Sequence, residues 1–166
     1  MTDHGADVDR RQEWAELRAR YLEDPGDRPP SSARGLHHLA LLSSDVERSI
    51  AFYQGVLEFP LTELFENRDY RGSTRFFFDI GDGNLLAFFD SPGLDLGEYA
   101  EVIGGLHHIA ISVTPDRWEH LRAKLEAAGV PTTERSTSSL YLSGPDGERL
   151  EISKDPRRER YGSTVA

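Results

Sequence analysis

Gly35-Leu36-His37-His38-Leu39-Ala40 recurs as Gly105-Leu106-His107-His108-Ile109-Ala110, 70 positions further along the chain. Two copies of one unit carry similar side chains to equivalent places, and equivalent places related by a pseudo-two-fold can face one another across a shared cavity. A repeated histidine pair is therefore an architectural and a chemical signal at once. The period exceeds that of the usual solenoid repeats, so it reads as a duplication folded into one body rather than an array.

The same order of elements follows each copy. Residues 36–43 read as a strand ending at Ser43-Ser44-Asp45, a helix N-cap signal, and the helix beyond carries Val46, Ile50, Phe52, Tyr53 and Leu57. Three strands follow near 60–69, 74–80 and 84–90, the last two joined at Gly81-Asp82-Gly83, where Asp-Gly supplies the positive φ angles of a tight hairpin. In the second copy, strand 106–113 leads through Thr114-Pro115-Asp116 into a helix bearing Trp118, Leu121 and Leu125, closed by Gly129 with Pro131 beyond. Strands 131–136, 138–143 and 148–153 complete it, with Gly144-Pro145-Asp146-Gly147 as the last turn. The expected fold class is α+β: two βαβββ modules, over 34–103 and 104–166. Residues 1–33 are expected to form an amphipathic helix, with Trp14, Leu17 and Tyr21 on one stripe over 8–22, and a linker through Asp24–Ser32.

Composition limits the partners. With 37% apolar and 29% charged residues the chain has the make-up of a globular protein, and 166 residues suffice for one real core. A formal net charge of −10 argues against nucleic acid and anionic lipid, which attract basic faces, so small molecules are the expected partners. Cysteine is absent, which leaves nitrogen and oxygen as the metal donors. The acidic start Met1-Thr2-Asp3-His4-Gly5-Ala6-Asp7 lacks the basic, apolar character of a signal peptide, and no stretch is apolar enough to span a bilayer; a cytoplasmic location is expected.

Neighbours on a strand point to opposite faces, so only one histidine of each pair can reach a cavity. His37, Leu39 and Leu41 share one face, and His107, Ile109, Ile111 and Val113 share the corresponding one; these apolar sets suit the helix-covered side. His37 and His107 are then expected in the core, and His38 and His108, beside the small Ala40, Ala110 and Ser112, on the open side. A single buried histidine is more often a hydrogen-bonded core residue than a ligand. Two at equivalent places reverse that balance. In Arg149-Leu150-Glu151-Ile152-Ser153 the leucine and isoleucine take the core face, which turns Glu151 to the other. Two imidazoles and one carboxylate form a facial set with open coordination positions, as used at Fe(II) and related divalent ions.

With these residues in view the sequence resembles the vicinal oxygen chelate superfamily, the glyoxalase, bleomycin-resistance and ring-cleaving dioxygenase proteins. The resemblance is carried by residues 36–40, 45–53, 106–110 and 140–151, and covers 34 to about 155. It implies a single vicinal oxygen chelate domain over 34–166, whose curved mixed sheets enclose a metal-binding cavity, with His38, His108 and Glu151 as the ligands. At the fourth position, where glyoxalase I and related epimerases place Glu or Gln, this chain has Ala87, which can neither bind a metal nor move a proton. Extradiol-type dioxygenases and fosfomycin thiol transferases place a tyrosine ten residues before the ligand glutamate; Tyr141 stands there, and its phenol is the candidate catalytic donor to metal-bound substrate. Extradiol enzymes also use a further histidine as acid or base, and none of the remaining ones sits at an obvious place for it.

The pocket wall reads as aromatic. On a two-residue Asp82-Gly83 turn, Phe76, Phe78 and Phe89 share the face of Ala87 and line the substrate cavity; a one-residue slip exchanges them for Phe77 and Phe88. Such a wall suits an apolar or aromatic metabolite. Arg71, Arg75 and Arg160 are candidates for an anionic group. The leading expectation is a homodimeric, metal-dependent enzyme of dioxygenase type, with Fe(II) favoured and Mn, Ni or Zn as alternatives. Glyoxalase-like or thiol-transferase chemistry, and metal-free drug sequestration of the bleomycin-resistance kind, are the rivals.

Overall fold

The structure, a computed structural model, describes residues 9–157, 159, 160, 163 and 164; the side chain of Arg160 and residues 1–8 lie outside the described residues. The chain separates into two compact units, one ahead of residue 35 and one from Gly35 onward. In the first, α1 (Arg11–Tyr21) buries none of its side chains, and Trp14, Leu17 and Tyr21 are exposed. Its start is fastened by ion pairs of Arg10 with Glu13 and Arg11 with Asp9. No helix among the described residues is long and apolar enough to cross a membrane.

The second unit holds two four-stranded mixed sheets of identical topology. In the first module β1 (His38–Ser43), β2 (Leu61–Glu66), β3 (Thr74–Asp79) and β4 (Leu85–Asp90) run in the order β1-β4-β3-β2, with β1 parallel to β4. In the second, β5 (Ile109–Ser112), β6 (Thr132–Glu134), β7 (Ser139–Ser143) and β8 (Arg149–Ser153) run β5-β8-β7-β6, with β5 parallel to β8. The doubled motif thus opens each module at a sheet edge. A short hairpin, β9 (Glu159–Arg160) with β10 (Ser163–Thr164), was not foreseen from the sequence.

Local chemistry explains the helices. Asp45 caps α2 (Val46–Ile50) by accepting from the Arg48 amide at 2.9 Å, and Thr114 with Pro115 starts α3 (Pro115–Ala127). The expected single helix of the first module is α-helical only over α2; residues 51–56 continue as a π-helix, with the Leu57 amide bonded to the Phe52 carbonyl at 3.0 Å. Within this segment Tyr53 is fully buried, as is Leu57 just beyond it. They join Phe76, Phe78, Phe88, Leu86, Trp118, Leu125, Leu150 and Ile152 in one core shared by both modules. Burying each of these large apolar side chains contributes about 1.5–3 kcal/mol.

Two expectations are corrected. His37 and His107 are exposed rather than buried, because β1 begins only at His38 and β5 only at Ile109, so neither lies on a helix-covered strand. Phe76 and Phe78 are not cavity-lining. The Asp82-Gly83 turn does form, but Gly81, at φ +89°, adds a residue that lets the Ile80 amide bond to the Asn84 carbonyl. That one extra residue pairs Phe77 with Ala87 and Phe76 with Phe88, and so turns Phe76 and Phe78 into the core.

The modules meet through their helical sides. Glu58 on the first takes Lys124 and His120 of α3 at 2.8 and 3.0 Å, together with Arg117, and Lys124 chiefly, then His120 and Arg117, hold its carboxyl down to about 2. Asp146 accepts from Ser44 and Arg48, and the buried Tyr53 hydroxyl donates to the buried Glu148 carboxylate. Gly144 makes room for that carboxyl: a Cβ there would lie 2.0 Å from Glu148 Oε1.

Burial pushes the Glu148 carboxyl upward, against the opposing pull of the Tyr53 hydrogen bond. A raised folded-state value means that its contribution to stability is fully present below the ordinary carboxylate range and is lost as pH rises through the folded value. Wild type should therefore lose stability relative to Glu148→Gln between about pH 4 and pH 8. Urea unfolding of both proteins at the two pH values measures this, and a pH-independent difference would refute it.

Candidate metal centre

Period-two alternation builds the centre on the open face of the second sheet. Leu150 and Ile152 are fully buried in the core, and Glu151 between them points the other way, yet it is only 1% exposed. It is covered by its own face. Across the ladder Tyr141 of β7 and Ala110 of β5 stand in register with it. Ser139 Oγ donates to Glu151 Oε1 at 2.6 Å, and the Tyr141 hydroxyl donates to Oε2 at 2.8 Å. Both oxygens are thus held, which orients the carboxylate toward β5. There His108 Nε2 approaches Oε2 to 3.2 Å, and the His108 ring lies 5.8 Å from that of Tyr141. Ser139 was missed in the sequence; its signal was its place two residues before Tyr141, on the same face of β7.

The exposed histidines have a structural place after all. His107 Nδ1 lies 2.6 Å from His108 Nδ1, and His37 Nδ1 lies 2.9 Å from His38 Nδ1. The rings stand edge-on in both copies, at 75° and 77°. An imidazole engaged at Nδ1 has its orientation set and presents Nε2 for other bonding. His107 is itself anchored: its carbonyl accepts from Tyr99, and its Nε2 lies 3.4 Å from Arg149, which pairs with Glu101.

His38 belongs to the other sheet. It opens β1 beside Phe77, with ring centroids 6.2 Å apart, on a face that also carries Ala40, Ala87 and Phe89. Phe65 of β2 stacks on Phe77 there, with centroids 6.0 Å apart. Of the expected ligands the chain brings His108 and Glu151 together, with Tyr141. It does not bring His38 to them: among the described residues no three His, Asp or Glu side chains are grouped to hold a metal. A cleft of about 1030 Å³ runs between β1, residues 90–100 and the turn at 145–148, and none of His38, His108, Glu151 or Tyr141 lines it.

The sequence pattern of the family described as Glyoxalase/Bleomycin resistance protein/Dioxygenase superfamily matches residues 35–152. Among characterised relatives, Metallothiol transferase FosB of Lysinibacillus sphaericus is 28% identical over 142 residues, which cover 78% of this chain and 88% of FosB. Lactoylglutathione lyase of Haemophilus influenzae is 32% identical over 124 residues, covering 69% of this chain and 88% of the lyase. Among solved structures, a glyoxylase/bleomycin resistance protein/dioxygenase domain from Frankia sp. EAN1pec superposes with a TM-score of 0.65 at 19% identity, over 77% of this chain and 96% of that one. A mutant of the fosfomycin resistance protein FosX from Listeria monocytogenes, complexed with Mn(II) and 1S,2S-dihydroxypropylphosphonic acid, gives 0.56 at 20% identity, over 76% and 96%. At these identities the structural likeness is one of fold.

Proposed function

Because this chain belongs to the glyoxalase/bleomycin resistance protein/dioxygenase superfamily, that of the vicinal oxygen chelate proteins, we propose that it is a metal-dependent enzyme whose centre is shared between two copies, His108 and Glu151 from one and His38 from the other. The observation that carries this reading is the buried, doubly hydrogen-bonded Glu151 beside His108, with the third donor stranded on a separate open face. Such a carboxylate, fixed in direction by two hydroxyls beside an imidazole, can offer oxygen to a divalent ion, and a nitrogen and oxygen donor set suits Fe(II), Mn, Ni or Zn. The Mn(II) in the FosX complex supports a divalent ion without favouring iron. Both β1 and β5 are sheet edges, and edges with unpaired backbone groups are where a second copy can add.

Once bound, the ion supplies Lewis-acid polarisation of a substrate oxygen. The chain's own residues do the rest. Ser139 and Tyr141 hold the carboxylate, His37 and His107 hold the imidazoles, and the Phe65–Phe77 face receives the apolar part of a small substrate. Ala87 supplies no carboxylate at the position where the isomerising relatives place one, which disfavours proton-shuttling isomerisation. The relatives include a metallothiol transferase, a lactoylglutathione lyase and a glutathione transferase, whose names speak of a thiol or of glutathione. Addition of a thiol to a small electrophile is therefore the favoured reaction, ahead of dioxygenation. The test is metal analysis of the purified protein, followed by thiol consumption against a panel of electrophiles and oxygen uptake with catechols. Bound metal with thiol consumption is the expected result; oxygen uptake without thiol dependence would overturn the choice of reaction, and absence of metal would overturn the centre.

A further inference from the structure

We infer that Arg75 receives an oxyanion of the substrate, so that the molecule bound on the His38 face has an apolar body ending in a carboxylate, phosphate or phosphonate; this rests on the reading of that face as a wall of the reaction cavity. Arg75 lies on β3 opposite Phe89 and two residues from Phe77, on the face that carries Ala87 and His38. Its guanidinium carbon is 4.8 Å from the Phe77 ring centroid and 5.0 Å from that of Phe89. Two rings thus hold the cation, and they engage its charge without using any of its five N–H donors.

One of those donors lacks an acceptor among the described residues. Arg75 Nε is the one buried side-chain polar atom without a hydrogen-bond partner among the described residues. A buried donor in that position is costly to leave unmade, and it is usually matched by a ligand, an ion or water. Protein carboxylates do not fill the role. Among the described residues neither Glu63, opposite Phe77 on β2, nor Asp69 forms an ion pair with Arg75; Asp69 is paired with Arg68 at 2.8 Å and senses Arg75 only as a nearby charge. A guanidinium stiffened by aromatic stacking, with its fork unclaimed, matches the planar, two-oxygen geometry of an oxyanion. Phe77, between Arg75 and His38, gives the apolar body its surface.

The probes are phenylphosphonate, benzoate and the neutral benzyl alcohol, titrated by calorimetry into the full-length protein. Wild type should bind phenylphosphonate at least about tenfold more tightly than benzyl alcohol, as a charge-assisted fork predicts. Arg75→Gln should lose that preference while keeping its affinity for benzyl alcohol, its metal content and its melting temperature, and Arg75→Lys should recover part of it. The same titration in Glu151→Gln, which lacks a metal ligand, separates anion binding by Arg75 from anion binding by an ion. Equal affinity of wild type for the charged and neutral probes, or a preference that survives Arg75→Gln, would overturn the proposal. Metal content measured on the same samples keeps the two readings apart: a protein without metal but with an Arg75-dependent preference refutes the centre alone, and one with metal but no preference refutes the anion site alone.

Discussion

If the proposed centre holds a divalent ion, Glu151→Ala is expected to abolish its retention and to lower the metal-dependent activity by at least about a hundredfold. The carboxylate is 1% exposed and receives Ser139 Oγ, Tyr141 OH and His108 Nε2 within 3.2 Å. Alanine removes the only oxygen donor of the proposed ligand set and leaves two hydroxyls facing an apolar methyl. An unmet buried hydroxyl costs about 1–3 kcal/mol, so a lower melting temperature should accompany the loss of metal. Glu151→Gln separates the two effects. It preserves volume and one acceptor oxygen but not the charge, so the fold should persist while metal retention falls. Metal per chain after dialysis, read beside thermal unfolding, checks both variants. Full metal occupancy in folded Glu151→Gln would show that this carboxylate is not a ligand.

Mixing two inactive proteins should restore activity. His38→Ala and Glu151→Ala each remove one donor, and a homodimer of either has two defective centres under the shared-site reading. In a mixed dimer one centre collects both substitutions, while the other joins an intact His38 to an intact His108–Glu151 pair. Random reassociation makes half of the dimers mixed, so about one quarter of the wild-type centres, and of the activity, should return. A centre built within one chain would recover none of it. Unfolding the two proteins together, refolding with metal and assaying against each protein refolded alone performs the measurement. The structure motivates the experiment because His38 and the His108–Glu151 pair belong to separate modules, with no grouping of three donors among the described residues of one chain.

The direction of Glu151 was legible in the sequence because it depends on alternation within a single strand. Leu150 and Ile152 flank Glu151, and their burial alone decides which way the carboxylate faces. The caps at Asp45 and Thr114 were likewise local signals, each a side chain bonded to an amide three residues on. The phenylalanines were not legible to the same degree. Asp82-Gly83 announced a hairpin, but the extra residue at Gly81 shifted the pairing by one, and in a strand one residue exchanges the two faces. The histidine pairs failed at their first members for a related reason: alternation was extended to His37 and His107, which precede the strands.

The doubled Gly-Leu-His-His pointed by itself to two like modules, each opening on a strand, and the alternation of Leu150 and Ile152 around Glu151 turned that carboxylate away from the core. These follow from short-range periodicity, which any stretch of strand imposes on its neighbours. Only the tertiary structure decided that Ser139 and Tyr141 hold the Glu151 carboxylate, that Arg75 sits between two rings with its Nε unpartnered, and that His38 is parted from His108. Each of these depends on which strands pair, in which register, and on which faces the helices bring together, relations that arise from packing between residues far apart in the chain.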